Sequence, residues 1–162
     1  MLLQRFFVDG PNSNRMNESL WARLEIPLNT SRNNIWKALT YPNLTQKYMY
    51  NCRLNCNWSL GSPAHWVEVQ KDGAKIIHVE GELIEYSPYD SLRFKIFHSN
   101  KILKGYVSEL RFLLQPHQQG VLLVIEQGDF STFPQGYKFY NECFQAWKHI
   151  QKDLISTCLL TP

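Results

Sequence analysis

The sequence predicts an α+β protein: a curved antiparallel sheet of about seven strands wrapped around one long C-terminal helix, with two short helices after the first strand. Two observations carry this. Tyr137, Tyr140, Phe144, Trp147, Ile150 and Leu154 recur at spacings of three and four, drawing one apolar stripe along a helix from Gly136 to about Leu159. Upstream, the chain is a succession of alternating, strand-like segments separated by turn residues, with no other long helical period. An aromatic stripe needs burial, and the inner face of one sheet is the surface that the rest of the chain supplies. A curved sheet gripping a helix often leaves a cavity between them.

The elements follow in order. Leu20 to Ile26 alternates as a first strand, with Leu20, Ala22, Leu24 and Ile26 on one face, and Pro27 is expected to end it. Thr30 or Ser31 can cap a short helix carrying Ile35, Trp36 and Leu39, and Thr40-Tyr41-Pro42 stops it because the residue before proline avoids the α region. A second short helix runs from Pro42 to about Tyr48. Arg53 to Trp58 alternates Leu54, Cys56 and Trp58 against Arg53, Asn55 and Asn57. Ala64 to Gln70 and Lys75 to Tyr86 flank Lys71-Asp72-Gly73-Ala74, an Asp-Gly hairpin signal. Ser91 to His98, Tyr106 to Gln115 and Val121 to Asp129 complete the meander, and a Pro/Gly loop from Phe130 to Gly136 launches the last helix.

At 162 residues the chain is the size of one domain. Residues 1–18, polar and Asn-rich, read as an N-terminal extension, with Met16 an alternative start, and 19–160 as a single domain. Four cysteines, at 52, 56, 143 and 158, lack the spacing of a disulfide framework or a zinc site and read as reduced. The five histidines likewise lack ligand spacing, so no metal and no cofactor is expected. A net charge of +3 is spread without a basic run, and basic and aromatic residues do not interleave on one strand face, which argues against nucleic acid. Met1 to Val8 is too short and too interrupted for a secretory core, and no segment is long enough to span a bilayer. The sequons at Asn17, Asn29, Asn43 and Asn57 then read as chance, and the cytoplasm is the expected location, as monomer or homodimer.

Four spaced patterns carry a family resemblance. They are Ile35-Trp36-Lys37-Ala38-Leu39-Thr40-Tyr41-Pro42; Gly61 with Trp66; Gly81-Glu82-Leu83-Ile84-Glu85-Tyr86-Ser87-Pro88 with Leu92; and Trp147 followed by Leu154. Over about residues 20 to 158 the chain resembles the activator-of-heat-shock-chaperone-ATPase-like branch of the SRPBCC superfamily, also called START-like or birch-pollen-allergen-like. The resemblance implies the helix-grip fold. It does not imply one activity, because members bind or convert unrelated ligands. Physically, these residues belong to the fold: Trp36 anchors one end of the grip, Pro42 fixes a corner, and Gly81 marks a close approach of another backbone.

If the helix lies across the concave face, alternation selects the inward residues. These are Ile77, Val79, Gly81 and Leu83; Leu92, Phe94, Ile96 and His98; Tyr106, Ser108, Leu110 and Phe112; and Leu123, Ile125 and Gln127. The opposite parity carries His78, Glu80, Glu82, Arg93, Lys95, Glu109 and Arg111, a solvated outer face. Together with Trp66, Tyr140, Phe144 and Trp147, the inward set is apolar with a few polar atoms, the make-up of a site for a small hydrophobic or amphiphilic ligand. Two other arrangements remain open. Trp58, Trp66, Phe112, Phe144 and Trp147 can close the space themselves, or water can fill it around the inward polar groups.

Three function classes follow. A binder of a hydrophobic ligand suits the inner set. An enzyme acting on a hydrophobic substrate, such as a cyclase, dehydratase or hydrolase, is the alternative, although no Ser-His-Asp, phosphate-loop or His-Glu-x-x-His pattern is present. No catalytic residue is assigned; His98, with Tyr106 and Gln127 as hydrogen-bonding partners, would be the candidate acid or base. A protein-binding, co-chaperone-like module is the third class, and it is implied by the resemblance alone.

Overall fold

The computed structural model describes residues 19–99 and 101–161. The expected N-terminal extension, residues 1–18, lies outside the described residues. Strand β1 (Ala22–Leu28) is followed by helices α1 (Arg32–Thr40) and α2 (Pro42–Tyr48). Then come β2 (Cys52–Cys56), β3 (Pro63–Val69), β4 (Lys75–Ser87), β5 (Ser91–Phe97), β6 (Val107–His117) and β7 (Gly120–Gly128), before α3 (Gly136–Leu160). The strands form one antiparallel seven-stranded sheet in the order β1-β7-β6-β5-β4-β3-β2, curled around α3 as the helix-grip arrangement requires.

Local chemistry accounts for the short elements. Ser31 caps α1, its Oγ accepting from the Asn34 N–H at 3.2 Å, and Pro42 opens α2 where its missing N–H is not needed. The Tyr48 hydroxyl donates to the Ala38 carbonyl at 3.1 Å and ties the two helices together. Pro27 does not end β1 as expected. It lies inside the strand opposite Leu122, which is tolerated because β1 is an edge strand. Trp58 lies beyond the end of β2 with φ +62°, outside the alternation that placed it in the strand. At Gly81 a Cβ would stand 2.4 Å from the Lys95 carbonyl oxygen, so this strand position needs glycine because of a neighbouring backbone.

Two bulges reset the parity of β4. Trp66 pairs with Val79 but Val67 pairs with Ile77, leaving His78 as the extra residue. Leu83 pairs with Phe94 but Glu85 pairs with Arg93, leaving Ile84 extra. Downstream of the first bulge Gly81 and Leu83 are buried, as alternation predicts. Upstream the expectation reverses: Ile77 is 48% exposed, and His78 turns toward the concave side.

The core lies between the concave face and the C-terminal half of α3. Leu83, Phe94, Leu123, Ile125 and Leu154 are wholly inaccessible, and Phe112 packs edge-on against Trp147 at 5.9 Å. Near α1 the aromatics fill the interior. Trp36 packs on Tyr86 at 5.7 Å, Tyr86 stacks on Trp58 at 5.6 Å, and Phe94 meets Trp66 edge-on at 5.4 Å. A smaller cluster of Leu103, Phe130 and Phe133 sits under the first turns of α3. The outer face is ionic, with Arg93 on Glu85 and Arg111 on Glu109, each at 2.9 Å. Arg111 also lies 4.0 Å over the ring of Trp21. No described helix is long and apolar enough to cross a membrane.

Candidate functional site

The aromatic packing near α1 stops short of the other end of the sheet, and a cleft opens there between the strands and α3. One lobe, about 270 Å³, has Trp66 of β3, Val79 of β4, Ile96 of β5 and Leu110 of β6 as its floor. Gln127 and Trp147 close its inner side, the buried Cys52 belongs to its wall, and Met49, Tyr50, Glu68 and His78 form its mouth. A second lobe of about 350 Å³ continues along the helix past His98, Phe130, Phe139 and Cys143. Met49, Tyr50, Val79, Gln127 and Trp147 line both lobes, so the two are one continuous cleft.

Its polar groups are few and held. Trp147 Nε1 donates to Gln127 Oε1 at 2.9 Å, which fixes the indole across the junction of the lobes. His98 Nε2 and Ser108 Oγ lie 2.9 Å apart, and the imidazole edge meets Phe133 at 5.1 Å. Burial holds the His98 pKa below its ordinary value, because the charged ring would lose water there. At the mouth, His78 Nε2 stands 2.8 Å from Glu68 Oε2. Burial first, and the Glu68 carboxylate second, push the Cys52 thiol pKa up. In the second lobe burial pushes Cys143 up to about 12.

The backbone at the mouth is unusual. Tyr50 and Asn51, between α2 and β2, both adopt left-handed conformations with φ +48° and +62°. Such residues cost on the order of 1–3 kcal/mol each when they are not glycine, and they gather at functional sites. Here they turn the chain so that Tyr50 borders the cleft, its ring parallel to that of His149 at 6.1 Å.

Of the residues expected to line a ligand, the structure brings Trp66, Val79, Ile96, Leu110, Gln127 and Trp147 together in the first lobe, and His98 into the second. Leu83, Phe94, Phe112, Leu123 and Ile125 lie in the closed core behind them. Ser108 is buried against His98 and reaches neither lobe directly. Tyr106 packs on Phe133, while Tyr140 and Phe144 stack on each other at 6.5 Å, half-buried on α3. Ile77 is turned to solvent by the bulge and is not part of the wall. His98 keeps Ser108 as its partner rather than Tyr106 or Gln127, whose amide oxygen is taken by Trp147.

Sequence reasoning missed the mouth. Met49 and Tyr50 sit in a loop without periodicity, and His78 enters through a bulge that no alternation pattern announces; Glu68 alone is within reach of the pattern, two residues from Trp66 on the same strand. Among the described residues no group of three or more His, Cys, Asp or Glu could hold a metal.

Comparison with known proteins places this geometry. A crystal structure of a Mesorhizobium loti protein superposes with a TM-score of 0.70 at 19% identity, covering 88% of this chain and 98% of that one. A Nitrosomonas europaea protein gives 0.66 at 19% identity, covering 90% and 97%. A solution structure described as the Aha1 dimer from Colwellia psychrerythraea gives 0.65 at 13% identity, covering 87% and 97%. At these identities the likeness is one of fold. No curated protein matches the chain. The family model described as Activator of Hsp90 ATPase homolog 1-like protein matches residues 29–159, and the chain belongs to that family.

Proposed function

We propose that the chain binds a small hydrophobic or amphiphilic molecule in the cleft between the sheet and α3, without transforming it. The observation that supports this reading is the continuous two-lobed cleft, whose floor is aliphatic and aromatic and whose polar groups are few and already oriented. Apolar walls in contact with water gain roughly 25 cal/mol for each Å² that an occupant covers. Trp66, Val79, Ile96, Leu110, Gln127 and Trp147 would touch such a molecule, with Leu83, Phe94, Phe112, Leu123 and Ile125 as the rigid layer behind. His98 would offer a hydrogen bond from the second lobe rather than act as acid or base. Tyr140 and Phe144 would border the outer edge.

Native mass spectrometry of freshly purified protein, compared with the same sample after organic extraction, tests this. A retained mass of a few hundred daltons that extraction removes is expected. Exchange of a neutral polycyclic fluorophore into the extracted protein is expected to weaken in Trp147→Ala. A bare chain that takes up no fluorophore at micromolar concentration overturns the reading.

The family description favours one second reading, a protein-binding module for the heat-shock chaperone. A change in the chaperone's ATPase rate on adding this chain would support it. The relative described as a dimer makes a homodimer the assembly to look for by size-exclusion chromatography.

A further inference from the structure

The charge of the cleft is not that of the molecule. Lys and Arg outnumber Asp and Glu by 17 to 14 along the chain, yet the described residues lining the two lobes include the carboxylates of Glu68 and Glu142 and no lysine or arginine. The two carboxylates differ. Glu142 lies on the exposed side of α3 with Lys138 Nζ 3.9 Å away, so a fixed cation already answers its charge. Glu68 stands at the mouth of the first lobe with an imidazole, that of His78, rather than a lysine or arginine as its partner at 2.8 Å. On its other side Glu68 borders a shallow groove that carries Lys71 and Asp72, of opposite charge.

The bulge in β4 builds this pairing. Glu68 shares the face of Trp66 by the alternation of β3, and the bulge brings the His78 imidazole to the concave side against it, where regular alternation would have put the isoleucine side chain of residue 77. The field of Glu68 reaches the cleft wall, since it helps to raise the Cys52 thiol. Aromatic side chains border the same space: Tyr50, Trp66 and Trp147 line the lobe. A cation near such faces is attracted by the ring quadrupole, most strongly for tryptophan, and an anion is not.

We propose that the polar end of the ligand is cationic: the cleft takes a hydrophobic amine, its apolar part between Trp66, Val79, Ile96 and Trp147 and its ammonium at the Glu68–His78 pair. This rests on the reading of the cleft as a ligand site. An anionic amphiphile of the same length would meet the Glu68 carboxylate with no described lysine or arginine in the lining to offset it.

A matched series separates the two claims. Decylamine, decanol and decanoate are titrated against extracted protein below their micelle thresholds, with tryptophan fluorescence as the readout. The titrations are run at about pH 8, where aliphatic amines keep their proton and carboxylic acids are ionised. The amine is expected to bind at least about tenfold more tightly than the acid, with the alcohol between, a difference of about 1.4 kcal/mol. In Glu68→Gln the amine and acid should converge. Decanol, which carries no charge, should bind Glu68→Gln as tightly as it binds the unaltered chain; this guards against a misfolded Glu68 variant. Equal binding of all three, or tighter binding of decanoate, overturns the charge inference while leaving the ligand site standing. Binding of none of the three, together with no fluorophore uptake, overturns the ligand site and this inference with it.

Discussion

His98 directly follows β5, with one nitrogen against the Ser108 hydroxyl and its ring edge-to-face with Phe133, in surroundings that disfavour the charged form. The folded protein therefore takes up this proton at lower pH than the unfolded chain, where an imidazole titrates near about 6.5. Between those two values the unfolded state holds the extra proton, so stability rises with pH. The contribution is fully present above about pH 6.5 and is lost as the pH falls toward the folded value. Urea midpoints should drop between about pH 7.5 and pH 5.5, and His98→Asn should flatten that part of the profile. An unchanged profile in the variant would assign the acid sensitivity to other groups.

Helix α3 divides along its length. From Trp147 onward it buries Trp147, Ile150, Leu154 and Cys158, whereas Tyr137 in the first turn is 62% exposed, its ring tilted against that of Tyr140 at 5.8 Å. The stripe that periodicity draws as uniform is thus two surfaces, an exposed first turn and a buried remainder that packs on the sheet and, through Trp147 and Ile150, also lines the cleft. Leu154→Ala should cost about 2–5 kcal/mol, because the side chain is wholly buried and the cavity it leaves cannot collapse fully. Tyr137→Ala should stay within about 0.5 kcal/mol, as surface changes do. Denaturant unfolding of both variants separates the anchoring half from the open half, and similar losses in the two would contradict that division.

At the scale of the molecule, the grip closes at one end and opens at the other. Trp36, Tyr86, Trp58, Phe94 and Trp66 fill the α1 end, and the cleft starts where Trp66 gives way to Val79 and Ile96. The same enclosure governs the thiols. All four cysteines are free, and burial pushes Cys143 and Cys158 up to about 12. Since the thiolate is the reactive form, both should resist a thiol reagent at about pH 8 in the folded protein, and both should react at once in denaturant. Mass-spectrometric mapping of the labelled sites checks this. A ligand in the second lobe should slow Cys143 further without changing Cys158, because only Cys143 lines that lobe.

The sequence by itself determined the element order, the all-antiparallel meander and the long terminal helix, because these depend on local periodicity and on turn chemistry such as Ser31 before α1 and Asp72-Gly73 between β3 and β4. It also marked the floor of the cleft, since Val79, Ile96, Leu110 and Gln127 follow the alternation of their own strands. Only the tertiary structure decided where that floor is open. Leu83, Phe94 and Ile125 have the same pattern as Val79 and Ile96, and what distinguishes them is the presence of an aromatic or of α3 above them, a long-range fact absent from any local window. The mouth escaped for a related reason. A bulge adds one residue to one strand of a pair, so its place is set by the register with the partner, and the exchange of Ile77 for His78 beside Glu68 is written in that pairing rather than in either strand alone.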